Sequence, residues 1–139
     1  MLETVVSRSL TLDSARRLAD LAIEEATARG LKIHVAVVDP AGNLLVYFKM
    51  PGAPLPARKF AEGKAYTAVS FKKPTAAWKD RLTANPHLAH GLSQHPNATF
   101  IGGGAPVTAD GEVVGAIGVA GGLEADDVAI VDAVLGRVG

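Results

Sequence analysis

Lys32-Ile-His-Val-Ala-Val-Val-Asp39, Pro40-Ala-Gly-Asn43 and Leu44-Leu-Val-Tyr-Phe-Lys49 follow one another without a gap. The outer two stretches are rich in β-branched and aromatic residues, and the middle one is a turn in which proline presets φ and glycine accepts the left-handed region. Together they predict an antiparallel hairpin. Upstream, Leu12, Ala15, Leu18, Ala19, Ala22 and Ala26 recur at three- and four-residue spacing, which predicts a helix from Thr11 to Arg29, capped by Thr11 and stopped at Gly30. Downstream, Met50 to Pro56 carries three prolines and a glycine and reads as a shaped loop. From Ala57 to about Lys73 a second helix places Ala57, Phe60, Ala61, Ala68 and Phe71 on one apolar stripe, with Lys64 in its middle. A partly helical stretch from Thr75 to about Leu92 closes at His95-Pro96.

Thr99-Phe-Ile101 reads as a strand leading through Gly102-Gly-Gly104 into Ala105 to Ala109, and Asp110-Gly111 turns that segment into Glu112 to Ala120. A final helix from about Glu124 aligns Val128, Val131, Leu135 and Val138, leaving Ile130 on the opposite side as a candidate subunit contact. Strands and helices do not alternate as in parallel α/β folds. The expectation is an α+β fold, one domain over residues 1–139, with an antiparallel sheet of about five strands flanked by helices.

The 14 Lys and Arg residues balance the 14 Asp and Glu residues, so no net field draws the chain to nucleic acid. With no cysteine, disulfides, thiolate nucleophiles and Cys-ligated metal centres are excluded. No apolar run approaches the roughly 20 residues of a membrane span. Met1 to Leu10 lacks the pattern of an export signal, and the expectation is a cytoplasmic protein. Nearly half the residues are hydrophobic but few are aromatic, which suggests apolar surface buried between subunits of a homo-oligomer.

Lys64 is the most informative single residue, because an ammonium group among alanines on a core-facing stripe needs a partner. Either it snorkels or pairs with an internal carboxylate such as Asp39, or it meets an acidic ligand in a pocket. Gly102-Gly-Gly104 is either a tight turn or a set of bare amides for an anion; with no helix following, it is not a dinucleotide fingerprint. In Gly115 to Ala120, Ile117 and Val119 face one way and Ala116, Gly118 and Ala120 the other, so something packs closely on the small face. His87, His90 and His95 lie in the least regular segment and read as surface residues or, failing that, as ligands to haem iron or another metal. His34 reads as packed within a strand. Asp39, Asp126, Asp127 and Asp132 are candidate general bases, with Asp126 and Asp127 favoured at a helix start by its dipole.

Val35-Ala-Val-Val-Asp39 with Gly42, Met50-Pro-Gly-Ala53, Lys64-Ala-Tyr-Thr67, Gly102-Gly-Gly-Ala-Pro106, Gly111, and Gly115-Ala-Ile-Gly-Val119 with Gly121 together resemble the GlcG/HbpS family over nearly the whole chain. The resemblance implies a profilin-like fold and assembly into hexamers or octamers. It also implies a small-molecule pocket near Lys49, Met50, Gly52, Ala53, Lys64, Thr67, Gly102, Gly103, Gly104 and Gly121. The family includes haem-binding members, among them the C-terminal region of PduO-type proteins, and proteins of catabolic operons. Haem is therefore the ligand class it favours, with Lys64 or Lys49 meeting a propionate; an enzyme converting a small carboxylate or aldehyde is the alternative. Where this chain has Lys49-Met-Pro-Gly-Ala53, the family often has Arg-Met-Asp-Gly-Ala, so a carboxylate is lost and a forked guanidinium becomes a point charge.

Overall fold

The computed structural model describes residues 1–139. After an extended N-terminal segment come α1 (Leu12–Ala28), β1 (His34–Val38), β2 (Leu44–Lys49), α2 (Ala57–Phe71), a 3-10 turn (Thr75–Trp78), α3 (Lys79–Ala84), α4 (Pro86–Ser93), β3 (Gly104–Ala109), β4 (Glu112–Ala120) and α5 (Glu124–Val138). The strands form one antiparallel sheet in the order β2-β1-β4-β3.

Local chemistry accounts for most boundaries. Thr11 accepts the Ser14 amide at 3.1 Å and so caps α1, a bond worth about 1 kcal/mol. Gly30 takes φ +68 just past the helix end. In the second hairpin Asp110 and Gly111 both have positive φ, +52 and +77, the twist that a two-residue turn between antiparallel strands requires.

Pleating sorts the side chains onto two faces. Val35 and Val37 of β1 with Ile117 and Val119 of β4 meet α1 and α5 in a core of 18 buried residues; Ala36, Val38, Ala116 and Ala120 meet α2 in one of 9, so the α1/α5 side is the main core. The second face is thin because α2 lies almost on the sheet backbone. A side chain at Gly118 would collide with the carbonyl of Ala61 and the amide of Ala65. The small face of β4 thus packs against a helix.

Close approach also explains why the apolar stripe expected on α2 is only partly correct. Ala57, Ala61 and Ala68 are buried, but Phe60 and Phe71 are 45% and 47% exposed, because no room remains for a ring between α2 and the sheet. Phe71 instead packs edge-on against Trp78, ring centroids 4.8 Å apart.

The sheet has four strands rather than about five. Thr99 to Ile101 is not a strand, because the amides around it are taken by side chains instead of a ladder. Thr99 N donates to Thr67 Oγ1 at 2.7 Å, Gly102 N to Glu124 Oε1 at 3.0 Å and Gly104 N to Thr75 Oγ1 at 2.9 Å. Ile130 is not a surface contact either. It is fully buried, and the inward face of α5 is Asp127, Ile130, Val131 and Val134.

Candidate functional site

Lys64 projects from the middle of α2 toward the end of β4, where Gly118 and Gly104 let the helix approach. Its Nζ donates to the carbonyl of Val119 at 2.9 Å and to Asp127 Oδ2 at 3.1 Å, and both side chains are only 3% exposed. Asp127 lies in the first turn of α5, and its Oδ1 accepts the amide of Gly122 at 3.0 Å. Burial pushes the Asp127 carboxyl above its usual range, outweighing the downward pull of Lys64 and of the Gly122 amide. The ammonium keeps one N–H beyond these two bonds. Gly103, at φ +124, passes so close that a side chain there would come within 2.9 Å of Lys64 Nζ and 2.7 Å of the Val119 carbonyl.

The partner of Lys64 is therefore Asp127, not Asp39. Asp39 is a turn residue: it accepts the amides of Ala41 and Asn43, each at 2.9 Å, and Asn43 Nδ2 at 3.1 Å. Although burial acts in the opposite direction, these bonds hold its carboxyl below its ordinary value. Asp126 does sit at the helix start as a dipole-favoured residue, accepting the Leu123 amide at 3.2 Å. Asp127, one position on, turns inward.

Above the pair opens a cleft of about 280 Å³, walled by Pro54, Ala57, Phe60, Ile101, Gly121 and Glu124 with Lys64 and Asp127 at its floor. Two of its lining side chains are apolar and half-exposed, Phe60 at 45% and Ile101 at 46%. The lining carries one cation, Lys64, and two carboxylates, Asp127 and Glu124.

One wall is held by His34, which is buried and paired in register with Ala120. Its Nε2 lies 2.7 Å from the carbonyl of Pro54 and its Nδ1 2.6 Å from the hydroxyl of Tyr47. A carbonyl only accepts, so Nε2 carries the proton; in the neutral ring Nδ1 then accepts from Tyr47. Burial raises the Tyr47 phenol above its ordinary pKa, which keeps that donor protonated. His34 thereby latches the Met50 to Pro56 loop to the sheet, a role that its place in a strand did not reveal.

Of the residues expected at a pocket, Lys64 and Gly121 line the cleft, Gly103 backs the lysine, and Ala53 is buried beside Pro54. Gly102 and Gly104 donate their amides to Glu124 and Thr75, and Thr67 accepts the amide of Thr99. Met50 packs on the larger core with its sulfur 3.4 Å from the Ile33 amide, Gly52 at φ +89 abuts the Lys32 side chain, and Lys49 is exposed with its Nζ on the Met50 carbonyl. The loop from 49 to 53 thus shapes the approach to Pro54 without lining the cleft. His87, His90 and His95 are exposed and lie outside it, and no three His or carboxylate side chains converge as a metal site.

A family model described as "Haem degrading protein HbpS-like" matches residues 10–136. The chain belongs to the HbpS-like family. One relative, an uncharacterised 15.0 kDa protein of the dhaT-dhaS intergenic region of Citrobacter freundii, is 31% identical over 121 residues, covering 86% of this chain and 84% of its own. Among solved structures, HbpS of Streptomyces reticuli, crystallised as a double mutant, superposes with a TM-score of 0.87 at 38% identity over 98% of this chain and 91% of that one. A PduOC:heme complex superposes with a TM-score of 0.83 at 28% identity, covering 92% and 94%. No helix in this HbpS-like chain is long and apolar enough to cross a membrane.

Proposed function

We propose that this chain is a cytoplasmic, homo-oligomeric haem-binding protein, with the ring seated across the cleft above Lys64 and Asp127. The observation that carries the reading is the pair of half-exposed apolar side chains, Phe60 and Ile101, that wall the cleft over a polar, buried floor. It suits a flat ligand with apolar faces and a polar edge, and the haem in the PduOC complex is such a ligand on a similar fold. The remaining N–H of Lys64 is the donor on hand for a propionate. The lining fits the periphery of the macrocycle but not its iron, since it contains no imidazole, phenol or thioether. Any ligand to the iron would have to come from outside these residues.

Titration of the purified protein with haemin, followed by the Soret band, is expected to saturate near one haem per chain at micromolar concentration. Phe60→Asp is expected to weaken it at least tenfold. A Soret band that never saturates, or binding indifferent to Phe60→Asp, would refute this placement.

The buried Lys64–Asp127 pair specifically favours a second reading, an enzyme acting on a small carboxylate or aldehyde. A cleft of this size admits such a molecule, and Lys64 would bind or polarise an acid or condense with an aldehyde to an imine with loss of water. A folded Lys64→Arg protein that loses capture of small aldehydes under borohydride reduction would support this reading; unchanged labelling of the peptide bearing position 64 in the parent with and without aldehyde would remove it.

A further inference from the structure

The N-terminal segment carries the most exposed apolar side chains of the chain. Residues 1–9 form no helix or strand, and Leu2, Val5 and Val6 are 92%, 93% and 92% exposed. The segment is nevertheless tied to the body at its base. Leu10 N donates to the carbonyl of Val114 at 2.9 Å, and Arg8 reaches Asp110 at the tip of the β3–β4 hairpin at 3.4 Å. Leu2-Glu-Thr-Val-Val-Ser7 has the composition of a strand and, extended, would reach roughly 20 Å.

At the base of this arm lies a separate groove of about 380 Å³, lined by Leu10, Leu18, Val107, Val114 and Val138 among others. It is mainly apolar, and the chain's own arm leaves it open. Arg17 and Arg137 lie in its lining. Arg137 is already matched by Glu24 and Glu25 at 3.1 and 3.5 Å, but Arg17 has no carboxylate within 4 Å, and neither has Glu3 of the arm any cation.

We propose that two copies of this chain exchange arms, Leu2, Val5 and Val6 of each filling the Leu18–Val107–Val138 groove of the other while Glu3 pairs with Arg17 across the contact. Unpartnered β-branched side chains, an unfilled apolar groove and one spare charge of each sign are complementary, and a two-fold axis satisfies both copies at once. This gives a contact to the assembly in the proposal above, rests only on that part of it, and is independent of haem.

The test is the mass in solution of the apo protein by light scattering after size exclusion, with circular dichroism to confirm folding. Val5→Asp/Val6→Asp lies outside the folded body and is expected to halve the mass, or to shift the dimer dissociation constant at least tenfold. Glu3→Arg and Arg17→Glu are each expected to weaken association, and the double variant to restore it. A monomeric parent, an unchanged mass in Val5→Asp/Val6→Asp, or a charge-swapped double no better than the singles overturns the proposal. A failed haem titration with this series behaving as expected would leave the arm exchange standing and remove only the ligand.

Discussion

Replacing Lys64 by Met removes the cation and keeps nearly the same volume, so the result reports on electrostatics rather than on a cavity. What remains is the Asp127 carboxylate, 2% exposed, with only the Gly122 amide as a partner, and a Val119 carbonyl that has lost its donor. Removing one member of a buried pair costs about 3–5 kcal/mol, a large part of the roughly 5–15 kcal/mol that holds a domain folded. For a chain of this length, that is a fall in Tm on the order of 10–20 °C.

Proton linkage sharpens the expectation. Burial already places the carboxyl above its ordinary value in the parent, and losing Lys64 raises it further. A group whose folded pKa is raised favours the folded state while protonated, and that contribution is lost as pH rises through the folded value. The deficit of Lys64→Met should therefore be largest at neutral pH and shrink at mildly acidic pH. Lys64→Met/Asp127→Leu should recover most of the loss. Urea unfolding of the four proteins of the cycle at both pH values is the assay. A single variant within about 1 kcal/mol of the parent, or a double variant as unstable as the single, would refute the account of a coupled pair.

Two further changes test neighbouring features. Asp39→Ala should lower stability by about 1–2 kcal/mol at neutral pH, since two amides lose a charged acceptor. The Asp39 pKa is depressed on folding, so its contribution is present above the unfolded value of 3.8 and fades as pH falls through the lower folded one; unfolding curves in which the difference grew on acidification would contradict this. Gly103→Ala should cost more than about 2 kcal/mol in urea, because φ +124 is strained for alanine and its methyl meets the Val119 carbonyl at 2.7 Å. Parent-like stability would mean that the backbone moves more freely there than the contacts allow.

Both hairpins and α1 were legible because their determinants are local: a Pro-Ala-Gly-Asn turn, an Asp-Gly turn, and a threonine cap one residue before a periodic run. What misled was long-range. Asp127 reads as a solvated first-turn carboxylate until Lys64, 63 residues away, supplies its partner. The spacing of Val128, Val131, Leu135 and Val138 likewise turned Ile130 outward in expectation, whereas it is fully buried. Thr99-Phe-Ile101 has strand composition, yet Thr67, Glu124 and Thr75, all distant in sequence, capture the amides of its neighbourhood. The glycines of β4 did announce a close neighbour, but not that its closeness would push Phe60 out to the mouth of the cleft.

The same pair constrains what the cleft accepts. Lys64 is its only cation and is already balanced by Asp127, and Glu124 adds a further negative charge, so the lining as it stands does not attract an acid. A carboxylate drawn to the spare N–H of Lys64 would meet Asp127 across the same ammonium group, and two anions sharing one buried cation repel. Protonation of Asp127 removes that repulsion, and burial has moved its carboxyl in the direction that makes protonation easier. An acid group reaching this lysine, whether a propionate or a small carboxylate, is therefore expected to bring a proton onto Asp127. A neutral carbonyl needs no such uptake, and the number of protons taken up on binding separates the two kinds of ligand independently of either one's affinity.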